Sequence, residues 1–113
     1  MTDFDRGDVV LVSFLFSEQD GFKKRPALVL STGDYHRGRR ELIMAAITSN
    51  MGRILIGDTK LRDWKKAGLL YPSVVTAIIR TIKQEMVESV LGSLTEQDFR
   101  SVDSILKQAL GFE

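Results

Sequence analysis

Apolar positions along this chain fall into runs of two kinds, and those runs set the expected order of elements. "GDVVLVSFLF", residues 7–16, is nearly continuous apolar with β-branched enrichment, the pattern of a strand buried on much of both faces. "SEQDG", 17–21, is a turn or loop by composition. "PALVLS", 26–31, predicts a second strand; its proline lacks an N–H and belongs at the strand's start or at an unpaired edge position. "STGDYHRGRR", 31–40, breaks the pattern with two glycines and a polar run, and reads as a loop. "ELIMAAITS", 41–49, predicts a third strand and "RILIGD", 53–58, a short fourth.

"DTKLRDWKKAGLLYP", 58–72, has the pattern of a short helix, with Asp58 or Thr59 as cap, Leu61 and Trp64 on one face and Gly68 as its stop. "SVVTAIIRTI", 73–82, is rich in Val, Ile and Thr and predicts another strand. A brief segment from Met86 to Leu91 leads to Gly92. The period then changes. Phe99, Val102, Ile105, Leu106, Ala109 and Leu110 recur at three- and four-residue spacing, one face of an amphipathic helix. Thr95 is its N-cap, Glu96 and Asp98 suit its positive end, and Gly111 supplies the stop. Several strands before a terminal helix, with no βαβ rhythm, predict a mainly β protein with appended helices: a small antiparallel barrel or sheet.

Length and composition narrow the function classes. At 113 residues the chain is expected to form one domain, 1–113. Cysteine is absent, which removes disulfides, a thiolate nucleophile and thiolate metal sites. The opening MTDFDRGD has neither a basic n-region nor an apolar h-region, and no run approaches the roughly 20 apolar residues of a membrane span, so a cytoplasmic protein is expected. Net charge is only +1, but the cations cluster: Lys23, Lys24 and Arg25, then Arg37, Arg39 and Arg40.

Candidate chemistry is sparse. One histidine, His36, excludes a two-imidazole acid–base pair, and its polar, glycine-flanked surroundings predict an ordinary exposed side chain. No P-loop, HExxH or dinucleotide fingerprint occurs, and no carboxylates stand at metal-ligand spacing. Arginines and hydroxyls remain. Arg25 precedes a rigid proline and a buried strand; Thr48 and Ser49 end the third strand. An arginine can hold phosphate bidentately and a hydroxyl can orient it, a combination that permits RNA cleavage, since the ribose brings its own nucleophile. The plainer alternatives are a strand edge blocked by cations and ordinary turn chemistry, and residue types alone favour these.

The order of motifs shifts that balance. "RGDVVLVSF", "KKRPALVLS", "AAITSN", "WKKAGLLYPSVV" and "RTI" followed by "LGSLTEQDFRSVDSILKQALG" together resemble the MazF/PemK-like toxins of type II toxin–antitoxin systems, over nearly the whole chain. The resemblance implies an SH3-like β-barrel (CcdB/MazF-like) with a C-terminal helix, and a homodimer. It also implies a metal-independent, cofactor-free endoribonuclease (an mRNA interferase) that cuts single-stranded RNA at short preferred sequences. Its partner would be a cognate antitoxin whose acidic, flexible tail covers the RNA groove.

Carried over by motif, Arg25 and Thr48 would be the catalytic pair, with Ser49 a helper. Lys23 and Lys24 would support RNA binding, and Glu18, in a loop closing over RNA, would be a base or base-reading contact. Two departures stand out. Many relatives have an acidic or amide residue after Ser-Val-Val, near a Cys-Asp-Gln-Ile stretch, where this chain has "TAII"; a subset with apolar residues there is closer to it. The loop before "KKRP" lacks a histidine that some relatives use, so the general base is unassigned. Two other classes compete: a gyrase-poisoning toxin on the same barrel, against which the "ALGFE" ending counts, and an inactive SH3-like interaction module, against which intact Arg25 and Thr48 count.

Overall fold

The computed structural model describes residues 4–17 and 21–112. Six strands form one antiparallel sheet: β1 (Asp8–Ser17), β2 (Gly21–Val29), β3 (Glu41–Thr48), β4 (Thr59–Lys60), β5 (Val74–Lys83) and β6 (Val87–Ser93), in the order β4-β5-β3-β2-β1-β6. Two helices, α1 (Gly33–Gly38) and α2 (Glu96–Leu110), accompany it. The sheet curls into a half-barrel. Its two edges approach each other through the chain that leaves β4, because Gly68 packs directly on Leu91 and Gly92 of β6. A Cβ on Gly68 would collide with the Leu91 carbonyl, and its φ of +86° also favours glycine.

The apolar runs are buried on both faces, which is why they barely alternate. Val9, Leu28 and Ala45 belong to one core with Val75 and, from α2, Val102 and Leu106. Their immediate neighbours Val10, Ala27, Val29 and Met44 belong to a second core with Phe4 and Ile82. Successive residues point to opposite sides of the pleat, so each strand feeds two cores at once.

α2 starts and stops as its sequence predicts. Thr95 Oγ1 accepts the Asp98 N–H at 3.3 Å, and Gly111, left-handed at φ 81°, closes the C-terminus. Its apolar face is buried only in part: Val102 and Leu106 are fully covered, whereas Leu110 is exposed. Among the described residues no helix is long and apolar enough to cross a membrane.

Four local expectations need correction. The second strand begins at Gly21, so Lys23, Lys24 and Arg25 lie within it and not before it. Residues 33–38 form a helix where a loop was expected: Thr32 Oγ1 accepts the Tyr35 N–H, and Gln84 Nε2 donates to the carbonyls of His36, Arg39 and Glu41 at 2.9–3.0 Å. Residues 53–58 form no strand; they close a turn in which the Asp58 carboxylate accepts the N–H groups of Leu55 and, on β5, Ala77. The short helix expected from Asp58 is the strand β4 followed by hydrogen-bonded turns ending at Gly68. Asp58 and Thr59 do not cap it; Asp98 of α2 does, accepting from Arg62 and Asp63 N–H at 3.0 and 2.8 Å. The segment from Met86 to Leu91 is mostly β6, paired with β1.

Candidate functional site

Pro26 organises the region around Arg25. It sits inside β2 opposite Leu11 of β1, and pairing with β3 begins only at Ala27↔Ala46. A residue without an N–H cannot extend that second ladder, so β2 and β3 separate from Pro26 onward. Continuing the register by two positions puts Arg25 across from Thr48, with the ladder open between them. The opening widens into a groove of about 1130 Å³.

Lys24, Arg25, Thr48, Ser49 and Arg80 line this groove, together with apolar side chains from several strands. Three cations and no carboxylate face it among the described residues, so its potential favours an anion. Arg25 is exposed, and its Nη1 donates to the Lys24 carbonyl at 3.1 Å. Lys24 Nζ is 2.8 Å from Glu88 of β6; both side chains are well solvated, so the pair contributes under about 1 kcal/mol. Thr48 ends β3 half-buried, and its Oγ1 accepts the Asn50 N–H at 3.1 Å. That bond orients the hydroxyl and leaves its O–H to donate to a ligand oxygen.

β5 shapes the far wall. Its pairing with β3 runs from Ala45↔Ile79 to Ile47↔Val75, so Thr76, Ala77 and Ile78 bulge opposite Ala46. Thr76 Oγ1 stitches the bulge by donating to the Ala46 carbonyl at 2.7 Å and accepting the Ile78 N–H at 3.2 Å. Arg80 then stands over Phe14, its guanidinium carbon 5.5 Å from the ring centroid. No three histidine, aspartate or glutamate side chains converge to hold a metal among the described residues.

Residues 5–110 match the family of PemK-like, MazF-like toxins of type II toxin–antitoxin systems. The chain belongs to that family. A MazE–MazF complex from Deinococcus radiodurans superimposes with a TM-score of 0.79 at 22% identity, covering 99% of this chain and 100% of that one. An endoribonuclease in complex with its cognate antitoxin, from a mycobacterial species, gives 0.77 at 18% identity, covering 97% of each chain. The Mycobacterium tuberculosis toxin MazF-mt6 gives 0.76 at 20% identity, covering 94% of this chain and 98% of that one. At such identities the likeness is one of fold. Among curated protein sequences, none matches.

Within this MazF-like frame, the groove unites Lys24, Arg25, Thr48 and Ser49. Lys23, opposite Phe14 in β1, does not line it, and Glu18 lies outside the described residues. His36 corrects its expectation most sharply. It is 2% exposed, its Nε2 is 2.6 Å from Ser31 Oγ, and its ring meets Phe4 edge-on, so it belongs to the core and not to a surface loop. Residue types alone missed Arg80, Leu70, Tyr71 and Ile78, which share the groove. A cation interrupting the apolar run "TAIIRTI" was the one visible signal.

Proposed function

We propose that this MazF-like protein is an endoribonuclease that cleaves single-stranded RNA at preferred sequences without a metal ion. The observation that carries the reading is the convergence of Arg25 and Thr48 on one cationic groove in a member of a toxin family. The fold relatives that include an endoribonuclease and its antitoxin complex support it.

Chemically, the ribose 2′-hydroxyl gives up its proton to solvent as its oxygen attacks the adjacent phosphorus, the P–O5′ bond breaks and the departing 5′-oxygen takes up a proton, giving a 2′,3′-cyclic phosphate and a 5′-hydroxyl. Arg25 stabilises the extra negative charge of the pentacovalent phosphorus and stands ready to protonate the leaving oxygen. The Thr48 hydroxyl fixes a non-bridging oxygen so that attack is in line. Ser49 assists that placement, and Lys24 adds backbone attraction.

The protein acts as a homodimer neutralised by an antitoxin with an acidic tail. Exposed Ile54, Leu55 and Ile56 support dimerisation: their turn lies beside the end of α2, where Gly57 approaches Ala109 and where Leu110 and Phe112 are also exposed. Sedimentation as a monomer at micromolar concentration would count against pairing.

The decisive experiment is primer extension on a long mixed-sequence RNA in the presence of a chelator, comparing wild type with Arg25→Ala. Discrete stops from the wild type and none from the variant are expected. RNA left intact by the wild type sinks the enzymatic reading.

A further inference from the structure

Beside the arginines the groove carries a feature that phosphate chemistry leaves unused. Leu70, Tyr71 and Ile78 form part of its wall, yet they are 82%, 64% and 60% exposed. Their backbone is firmly held. Before the pair, Leu69 is anchored in the core and its N–H bonds the Trp64 carbonyl at 3.1 Å. After it, buried Ser73 donates from Oγ to the Tyr71 carbonyl at 2.7 Å, and its own carbonyl accepts the Leu61 N–H at 3.0 Å. Pro72 restricts the one residue between. Ile78 is turned outward by the Thr76 bulge. Apolar side chains presented to water on so fixed a backbone lose little freedom when a ligand covers them.

We propose that Tyr71, with Leu70 and Ile78, is a stacking seat for one unpaired RNA base next to the phosphate held at Arg25, and that it contributes to sequence preference. The inference rests on the endoribonuclease reading and adds a specificity residue to it. Charge selects the occupant. Arg25, Lys24 and Arg80 line the same groove, with Glu88 paired to Lys24 outside that lining, and the cationic wall draws a polyanion. A single strand bound through its phosphates must place its bases within one nucleotide of those cations. Each base has flat apolar faces that an aromatic ring covers whatever its hydrogen-bonding edge. With Ala77 and Ile78 at the bulge, the seat's own side chains offer only the Tyr71 hydroxyl as a hydrogen-bonding group, so it selects by stacking and shape.

The test uses the full-length protein and a short RNA carrying a cleavage site mapped by primer extension. The scissile position has 2′-deoxyribose, so the RNA binds without being cut, and single abasic sites are walked along the flanking nucleotides. Wild type is expected to lose about tenfold in affinity at one position. Tyr71→Ala should show that loss on intact RNA and no further loss at that position, while Tyr71→Phe keeps the wild-type profile.

Equal affinities of Tyr71→Ala and wild type throughout overturn the seat. So does a shift of Tyr71→Ala to a slower-sedimenting species, which assigns Tyr71 to a subunit contact. Weakened binding of an acidic antitoxin peptide with unchanged RNA affinity overturns it as well. Wild-type protein that leaves RNA whole at the mapping step removes the underlying reading instead, a separate and recognisable failure.

Discussion

Asp98, in the first turn of α2, is 1% exposed, and its two oxygens each accept a backbone N–H from the turn that follows β4. Arg25, inside β2, stands exposed on a groove wall among other cations. Both are charged residues on regular elements, yet their surroundings differ in kind. The carboxylate's partners are all internal and close the half-barrel by tying α2 to the turn that reaches β6. The guanidinium lies exposed along a groove that Lys24 and Arg80 also line. A buried, satisfied polar group holds the fold, whereas exposed cations gathered on one wall give that wall a potential that favours an anion.

Substitutions can break this contrast, beginning with the largest effect. Arg25→Ala is expected to lower kcat/KM for RNA by about a hundredfold to a thousandfold, the scale for losing one preorganised charge stabiliser. Its urea midpoint should stay near that of the wild type, because the side chain is exposed. Asp98→Ala should do the opposite: it strands two N–H groups and lowers stability by about 3 kcal/mol in urea denaturation. Its folded fraction should still cleave RNA. If Asp98→Ala left stability intact while activity fell, the division of roles would be wrong.

Thr48→Val keeps the shape and removes one hydroxyl; about a tenfold loss in kcat/KM is expected, with little change in KM for short RNA. Smallest is Glu88→Gln, which releases Lys24 from its solvated ion pair. RNA affinity at low salt should rise about twofold to threefold and stability should move by less than about 0.5 kcal/mol. An unchanged affinity and salt slope would place Lys24 outside the RNA path.

What was legible in the sequence was whatever local spacing decides. α2 could be read from Thr95 to Gly111 because a helix closes its own hydrogen bonds, and its cap and stop lie in the same segment. The long strands could be read because burial on both faces requires continuous apolar runs. Short elements were decided by partners far along the chain. Residues 53–58 look like a strand, but Asp58 accepts N–H groups from Leu55 and Ala77 and closes a turn instead. α1 is six residues that begin and end with glycine, too short for any period to show, and His36 became buried only when Phe4 and Ser31 met it.

The candidate site divides along the same line. Arg25 and Thr48 could be named from motifs that resemble the toxin family, but no spacing joins two residues on different strands. Their meeting depends on the Ala27↔Ala46 register and on Pro26, which opens the ladder between them. Arg80, Tyr71 and Ile78 came into view only with the β5 bulge and the curl of the sheet. The sequence by itself determined the long strands in outline and the terminal helix, because those follow from side-chain period and local hydrogen bonding, and it pointed to the family through the order of its motifs. Only the tertiary structure decided which cations share a groove and which polar groups are buried, because register and curvature bring together residues that the chain keeps far apart.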